Sequence, residues 1–144
     1  MNEEKYSLYP KVEELLKSFK AKGYKVFITS GSTTGAMIKR IYELGILPNI
    51  DFLLGFDIYK KSQKHMEILA EKERISLEEF SRHAVYFGDG PGDMRIAKSS
   101  GLYSIGIAQT VSTDALKNAG ADLVLIKIGD AMAIDWERIN NVRP

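Results

Sequence analysis

The sequence contains no cysteine. That excludes disulfides, thiolate catalysis and cysteine-ligated zinc, and it agrees with a reducing compartment. Net charge is nearly absent as well: 20 basic and 19 acidic side chains leave +1. No overall field therefore recruits nucleic acid or an anionic membrane, and any function that relies on charge must be local. No apolar run approaches the roughly 18 residues needed to span a bilayer, and the opening MNEEKYSLYP is too polar for a secretory signal. A cytoplasmic protein without nucleic-acid or membrane partners is expected. Aspartate is missing from residues 1–28, and no Asp-x-Asp triplet occurs anywhere in the chain.

What is present suits one domain. With 144 residues, 44% of them hydrophobic, the chain is long enough for one sizeable core and too short for two ordinary ones, so residues 1–144 are expected to form a single domain. Amphipathic and short apolar segments alternate. Pro10 sits at a helix start, Val12, Leu15, Leu16 and Phe19 recur at helical spacing, and Gly23 is a stop. YKVFITS reads as a strand, followed by a helix with Met37, Ile38 and Ile41 inward, and DFLLGFD reads as another strand. Ser62 is placed to cap a helix reaching Glu73, and Ser76 with Glu79 has capping-box spacing. AVYFG, YSIGIA and ADLVLIKI supply further strands, with helices at MRIAKSSG and DALKNAG and a last one from about Ala131 to Asn140, where Met132, Trp136 and Ile139 share a face. Short apolar strands without polar alternation, separated by helices, predict an α/β fold: a mainly parallel, Rossmann-like sheet in a three-layer α/β/α arrangement. Ligands bind such sheets beyond the carboxyl ends of the strands.

Three loops at that edge carry candidate chemistry. In FGDGPGDM, Asp89 ends a strand and Asp93 follows four residues later in a helix's first turn. Two neighbouring carboxylates stay ionised most cheaply around a hard divalent cation or a basic side chain, and oxygen ligands at an open edge suit magnesium. Alternatively, Asp89 caps the helix and Asp93 complements its dipole. In ITSGSTTG, a strand delivers Thr29, Ser30, Gly31, Ser32, Thr33 and Thr34 to a helix start, where hydroxyls and amide hydrogens form a phosphate cradle. Capping by Ser32 or Thr33 explains one of these hydroxyls. No lysine follows the glycines as a Walker loop requires, which disfavours nucleoside triphosphate hydrolysis. In IYKKSQKH, Lys60, Lys61 and Lys64 cluster before and within a helix start, either neutralising a phosphate or forming a solvated face. His65 and His83 stand apart from other ligand types and read as core or surface residues.

In order and register these loops resemble the haloacid dehalogenase (HAD) superfamily of phosphatases: a strand ending in threonine or serine, then a lysine, then a strand ending in GDxxxD. The likeness runs from YPKVEELLKSFKAKGYKVFITSGS through AKSSGLYSIGIA and NAGADLVL. It implies that Thr29, or Ser30, binds the transferred phosphoryl group with Gly31 beside it. It also implies that Lys61, with Lys60 and Lys64 as alternatives, neutralises it, that Asp89 ligates Mg2+, and that Asp93 supports the ion or the lysine. The implied substrate is a small phosphorylated metabolite. Members of the superfamily begin with a strand ending in DxDx(T/V), whose first aspartate attacks phosphorus and whose second protonates the leaving group. Nothing in this sequence matches it. The expected fold is thus a HAD-like core without its first strand and without a cap. In the family that strand lies mid-sheet, between those matching YKVFITS and AVYFG. These two either pair directly or another segment fills the gap, with Tyr6, Leu8 and Tyr9 as a weak candidate, so a homo-oligomer or partner chain is expected, and the isolated chain should be nearly inert.

Overall fold

The computed structural model describes residues 10–142. The chain folds as two compact units, residues 1–61 and 62–144. The segment containing Tyr6, Leu8 and Tyr9 lies outside the described residues.

In the first unit, α1 (Val12–Ala21) starts after Lys11, whose φ is 70°. The chain leaves it through Gly23, whose φ of 82° suits glycine. β1 (Phe27–Thr29) and β2 (Phe52–Leu54) pair in parallel, Phe27 opposite Phe52 and Thr29 opposite Leu54. A parallel pair needs a crossover, and α2 (Thr34–Glu43) with a 3-10 turn at Leu47–Asn49 supplies it. Leu15, Ile41, Ile46 and Leu54 form the core of this unit. Of the three apolar residues expected to face inward on α2, Ile41 is buried and Met37 half-buried, whereas Ile38 is 42% exposed. A ten-residue helix covering a two-stranded ladder has only a narrow stripe to bury. Asp51 ties the unit together at its other end: its carboxylate accepts from Lys20 Nζ of α1 at 2.6 Å and from the Val26 amide before β1 at 2.6 Å.

In the second unit β3 (Val85–Gly88), β4 (Tyr103–Ile107) and β5 (Leu123–Leu125) form a parallel sheet in that order, Val85 opposite Tyr103 and Ile105 opposite Leu123. α5 (Pro91–Ser100) crosses between β3 and β4, and α6 (Thr113–Asn118) between β4 and β5, while α3 (Gln63–Lys72) and α4 (Leu77–His83) pack with α5. Ser62 and Ser76 cap α3 and α4 as expected, accepting from the Lys64 and Glu79 amides. Gly101, at φ 82°, ends α5. Met94, Ala97, Ile105 and Leu116 are fully buried between α5, α6 and the sheet. His65 is also fully buried, while His83 is exposed.

The single last helix expected from Ala131 is instead a 3-10 segment at Ile128–Ala133 followed by α7 (Trp136–Val142). Ile134 between them is extended, and Asp135 accepts from the Arg138 amide to start α7 afresh. The break takes Met132 off the shared face and leaves it 44% exposed, while Trp136 packs beside Phe87 with ring centroids 6.1 Å apart and Ile139 is buried.

Both sheets are parallel with helical crossovers, as the α/β reading requires. The described strands form a two-stranded sheet, β1–β2, in the first unit and a three-stranded sheet, β3–β4–β5, in the second.

Candidate functional site

Each unit carries one group of the candidate residues at the carboxyl end of its sheet. In the second unit, β3 stops at Gly88 and exposed Asp89 follows. α5 begins at Pro91 with Gly90 as its N-cap and no capping side chain, so Asp89 does not cap the helix. The Asp89 carbonyl accepts from Thr110 Oγ1 at 3.4 Å, which ties the loop to the segment after β4. Asp93, in the first turn of α5, is half-buried and turns back over the strand end. A Cβ on Gly88 would overlap Asp93 Cβ and come within 2.8 Å of Oδ2, so the approach depends on glycine. The Tyr86 hydroxyl lies 3.5 Å from Asp93 Oδ1, at the outer limit of a hydrogen bond.

In the first unit, Thr29 is the last residue of β1, and the Ser30 amide continues the ladder by donating to Leu54 O at 2.9 Å. Ser30 Oγ accepts from the Ser32 amide at 3.0 Å and shapes the turn through exposed Gly31. Thr33 caps α2, its hydroxyl accepting from the Ala36 amide at 3.3 Å. The next residue holds the unexpected contact. The Thr34 amide and hydroxyl both donate to Asp57 Oδ1, at 2.6 and 2.9 Å. These two bonds hold the exposed Asp57 carboxyl below its ordinary pKa, the amide contributing most, against a small opposing effect of desolvation. The expected cradle is therefore smaller than the sequence implied, because Thr33 and Thr34 serve α2 and its internal anion. Asp57 was missed because its partner lies 23 residues away and nothing in GFDIYKK marks it.

Lys60 and Lys61 follow on the same loop as Asp57, Lys60 exposed and Lys61 half-buried; Lys64, exposed, is in the first turn of α3 in the second unit. Residues 1–107 match the family model described as haloacid dehalogenase-like hydrolase. The chain belongs to that HAD family. No curated protein sequence matches it. Similar solved structures include a candidate β-phosphoglucomutase from Thermotoga maritima, with TM-score 0.78 and 20% identity over 94% of this chain and 61% of that one. A predicted phosphoglycolate phosphatase from Haemophilus somnus gives 0.76 and 21% over 87% and 56%, and a β-phosphoglucomutase from Clostridium difficile gives 0.69 and 21% over 93% and 55%. At these identities the likeness is one of fold, and the HAD chain described here spans between about half and two thirds of each relative's length.

Among the described residues no cluster of three or more His, Cys, Asp or Glu side chains gathers as a ready-made metal cage. Magnesium does not need one, since it is commonly held by one or two carboxylates, with waters and substrate phosphate completing its shell. The β3–α5 loop of this HAD chain fits that demand. It offers hard oxygen donors only, Asp89 is exposed at the strand end, and Asp93 is fixed over Gly88.

Proposed function

We propose that the chain is the phosphate- and magnesium-binding part of a phosphohydrolase acting on a small phosphorylated metabolite. The observation that carries this reading is the packing of Asp93 over Gly88. The loop is shaped around a glycine over which one carboxylate packs, four residues after a second, exposed one at the strand end, in a chain of the HAD family. Thr29 and Ser30, with the Gly31 turn, donate hydrogen bonds to phosphoryl oxygens, and Lys61 neutralises them with Lys64 in support. Asp89 and Asp93 would hold Mg2+, which when bound offsets charge on the phosphoryl oxygens. Asp93, half-buried over Gly88, orients the ion while Asp89 meets solvent.

Within these 144 residues no Asp-x-Asp supplies the nucleophile and the acid. Catalysis by the isolated chain is therefore expected to be slight, since removing a covalent nucleophile costs several orders of magnitude in rate. In the full enzyme, a segment outside these residues or a partner chain contributes that strand, and a monomer by light scattering would exclude a second copy of this chain as its source. The missing pair also favours a second reading, a non-catalytic module that binds phosphate for regulation.

The test is the melting temperature. At a hundredfold excess over Kd a ligand stabilises by about 2.7 kcal/mol, a rise of several degrees for a domain of this size. Phosphate and Mg2+ should each give a rise, with Asp89→Asn removing the Mg2+ part. If neither ligand moves the transition, the binding site proposed here does not exist.

A further inference from the structure

Asp57 has no role in the reading above, yet its carboxylate makes the tightest tie between the two loops of the first unit. One oxygen accepts both the amide and the hydroxyl of Thr34, the first helical residue of α2. That amide is one of the donors a helix start leaves without an intrahelical partner, and the preferred occupant there is an anion. Asp57 is that anion, delivered from within the chain. The tie is reinforced by backbone bonds from Ser30 N to Leu54 O at 2.9 Å and from Phe56 N to Ser32 O at 2.8 Å.

Gly55 makes the closeness possible. It is buried, and a Cβ there would overlap the Thr34 amide and come within 2.7 Å of both Ser32 O and the Asp57 carboxylate. One of the loops so joined carries Thr29 and Ser30; the other carries Lys61 four residues after Asp57. A carboxyl with a lowered pKa keeps its charge at neutral pH.

We propose that Asp57 is a positioning residue, an ionised clasp that holds the Thr29–Ser30 turn in register with the Lys61 loop and thereby sets the affinity of that site for phosphate. By occupying the start of α2 it also confines phosphate to Thr29, Ser30 and Lys61, since a phosphate on the Thr34 amide would have to displace it. This inference rests on the phosphate-binding reading and names the residue that organises it.

The experiment is calorimetric titration of the full chain with inorganic phosphate, well below the melting temperature. It compares wild type with Thr29→Ala, Asp57→Asn, Gly55→Ala and, as a stability control in the other unit, Ser76→Ala. Asp57→Asn and Gly55→Ala should each weaken phosphate binding about tenfold, the factor associated with one charge-assisted hydrogen bond. Ser76→Ala should lower the melting temperature and leave the affinity unchanged. If Thr29→Ala weakens binding but Asp57→Asn does not, the clasp is wrong and the binding site stands. Tighter binding in Asp57→Asn would show that the carboxylate competes with phosphate, and equal weakening by Ser76→Ala would reduce the effect to general stability; either overturns the proposal. A wild-type chain that takes up no phosphate removes the binding site and the clasp together.

Discussion

At the scale of single residues, two glycines permit the close approaches in the candidate loops. Gly88 admits Asp93, and Gly55 admits the Thr34 amide together with Ser32 O and the Asp57 carboxylate. Gly88→Ala should force Asp93 off the strand end. A large-for-small change in a filled site costs about 1–3 kcal/mol, so the melting temperature should fall by several degrees; an unchanged melting curve would mean that Asp93 moves away freely. The Asp89–Asp93 loop was legible because GDGPGD brings its own turn residues and both carboxylates within one short stretch. Its supports were not, since Tyr86 is one more apolar-looking residue of AVYFG and Thr110 lies beyond the next strand. The five hydroxyls of ITSGSTTG look alike in sequence, but the structure divides them among a turn, a helix cap and a bond to Asp57 from a distant loop.

At the scale of elements, the helix starts were readable because capping is local. Ser62 and Ser76 act within three residues of themselves. The last helix departs from its sequence pattern for the complementary reason: Met132, Trp136 and Ile139 fit a helical period, but the period carries no notice of extended Ile134 or of Asp135 capping anew. Asp51 ties α1 to the segments before β1 and β2 through Lys20 and the Val26 amide. Desolvation pushes its pKa upward, yet the Lys20 hydrogen bond, the Val26 amide and the charges of Lys20 and Lys25 together bring it below its ordinary value. A carboxyl whose folded pKa is lowered adds stability above its unfolded pKa and loses it as pH falls through the folded one. The stability contributed by Asp51 should therefore persist down to about pH 4 and disappear below it. For a partly exposed pair it amounts to about 1 kcal/mol or less. Lys20→Met should remove most of this acid-dependent contribution; urea melts at pH 7 and pH 3 that respond identically in wild type and variant would refute the assignment.

At the scale of the whole molecule, the alternation of helices and apolar strands led to the α/β class, and both sheets are parallel. Pairing between strands was less legible, because a three-residue ladder such as β1–β2 is set by tertiary contacts rather than by its own composition. The chain corresponds to 61% of one similar structure and 56% of another, and it contains no Asp-x-Asp. A second copy of the same sequence could therefore supply a strand, but not the nucleophile. On the function proposed above, phosphate and magnesium recognition are present here without the attacking group. Phosphorus NMR of 4-nitrophenyl phosphate mixed with the isolated chain and Mg2+ tests both halves together. The predicted result is a shifted or broadened ester resonance, lessened by Asp89→Asn, with no growth of the inorganic phosphate signal. An unperturbed ester resonance, or inorganic phosphate released at a rate that Asp89→Asn abolishes, would contradict it.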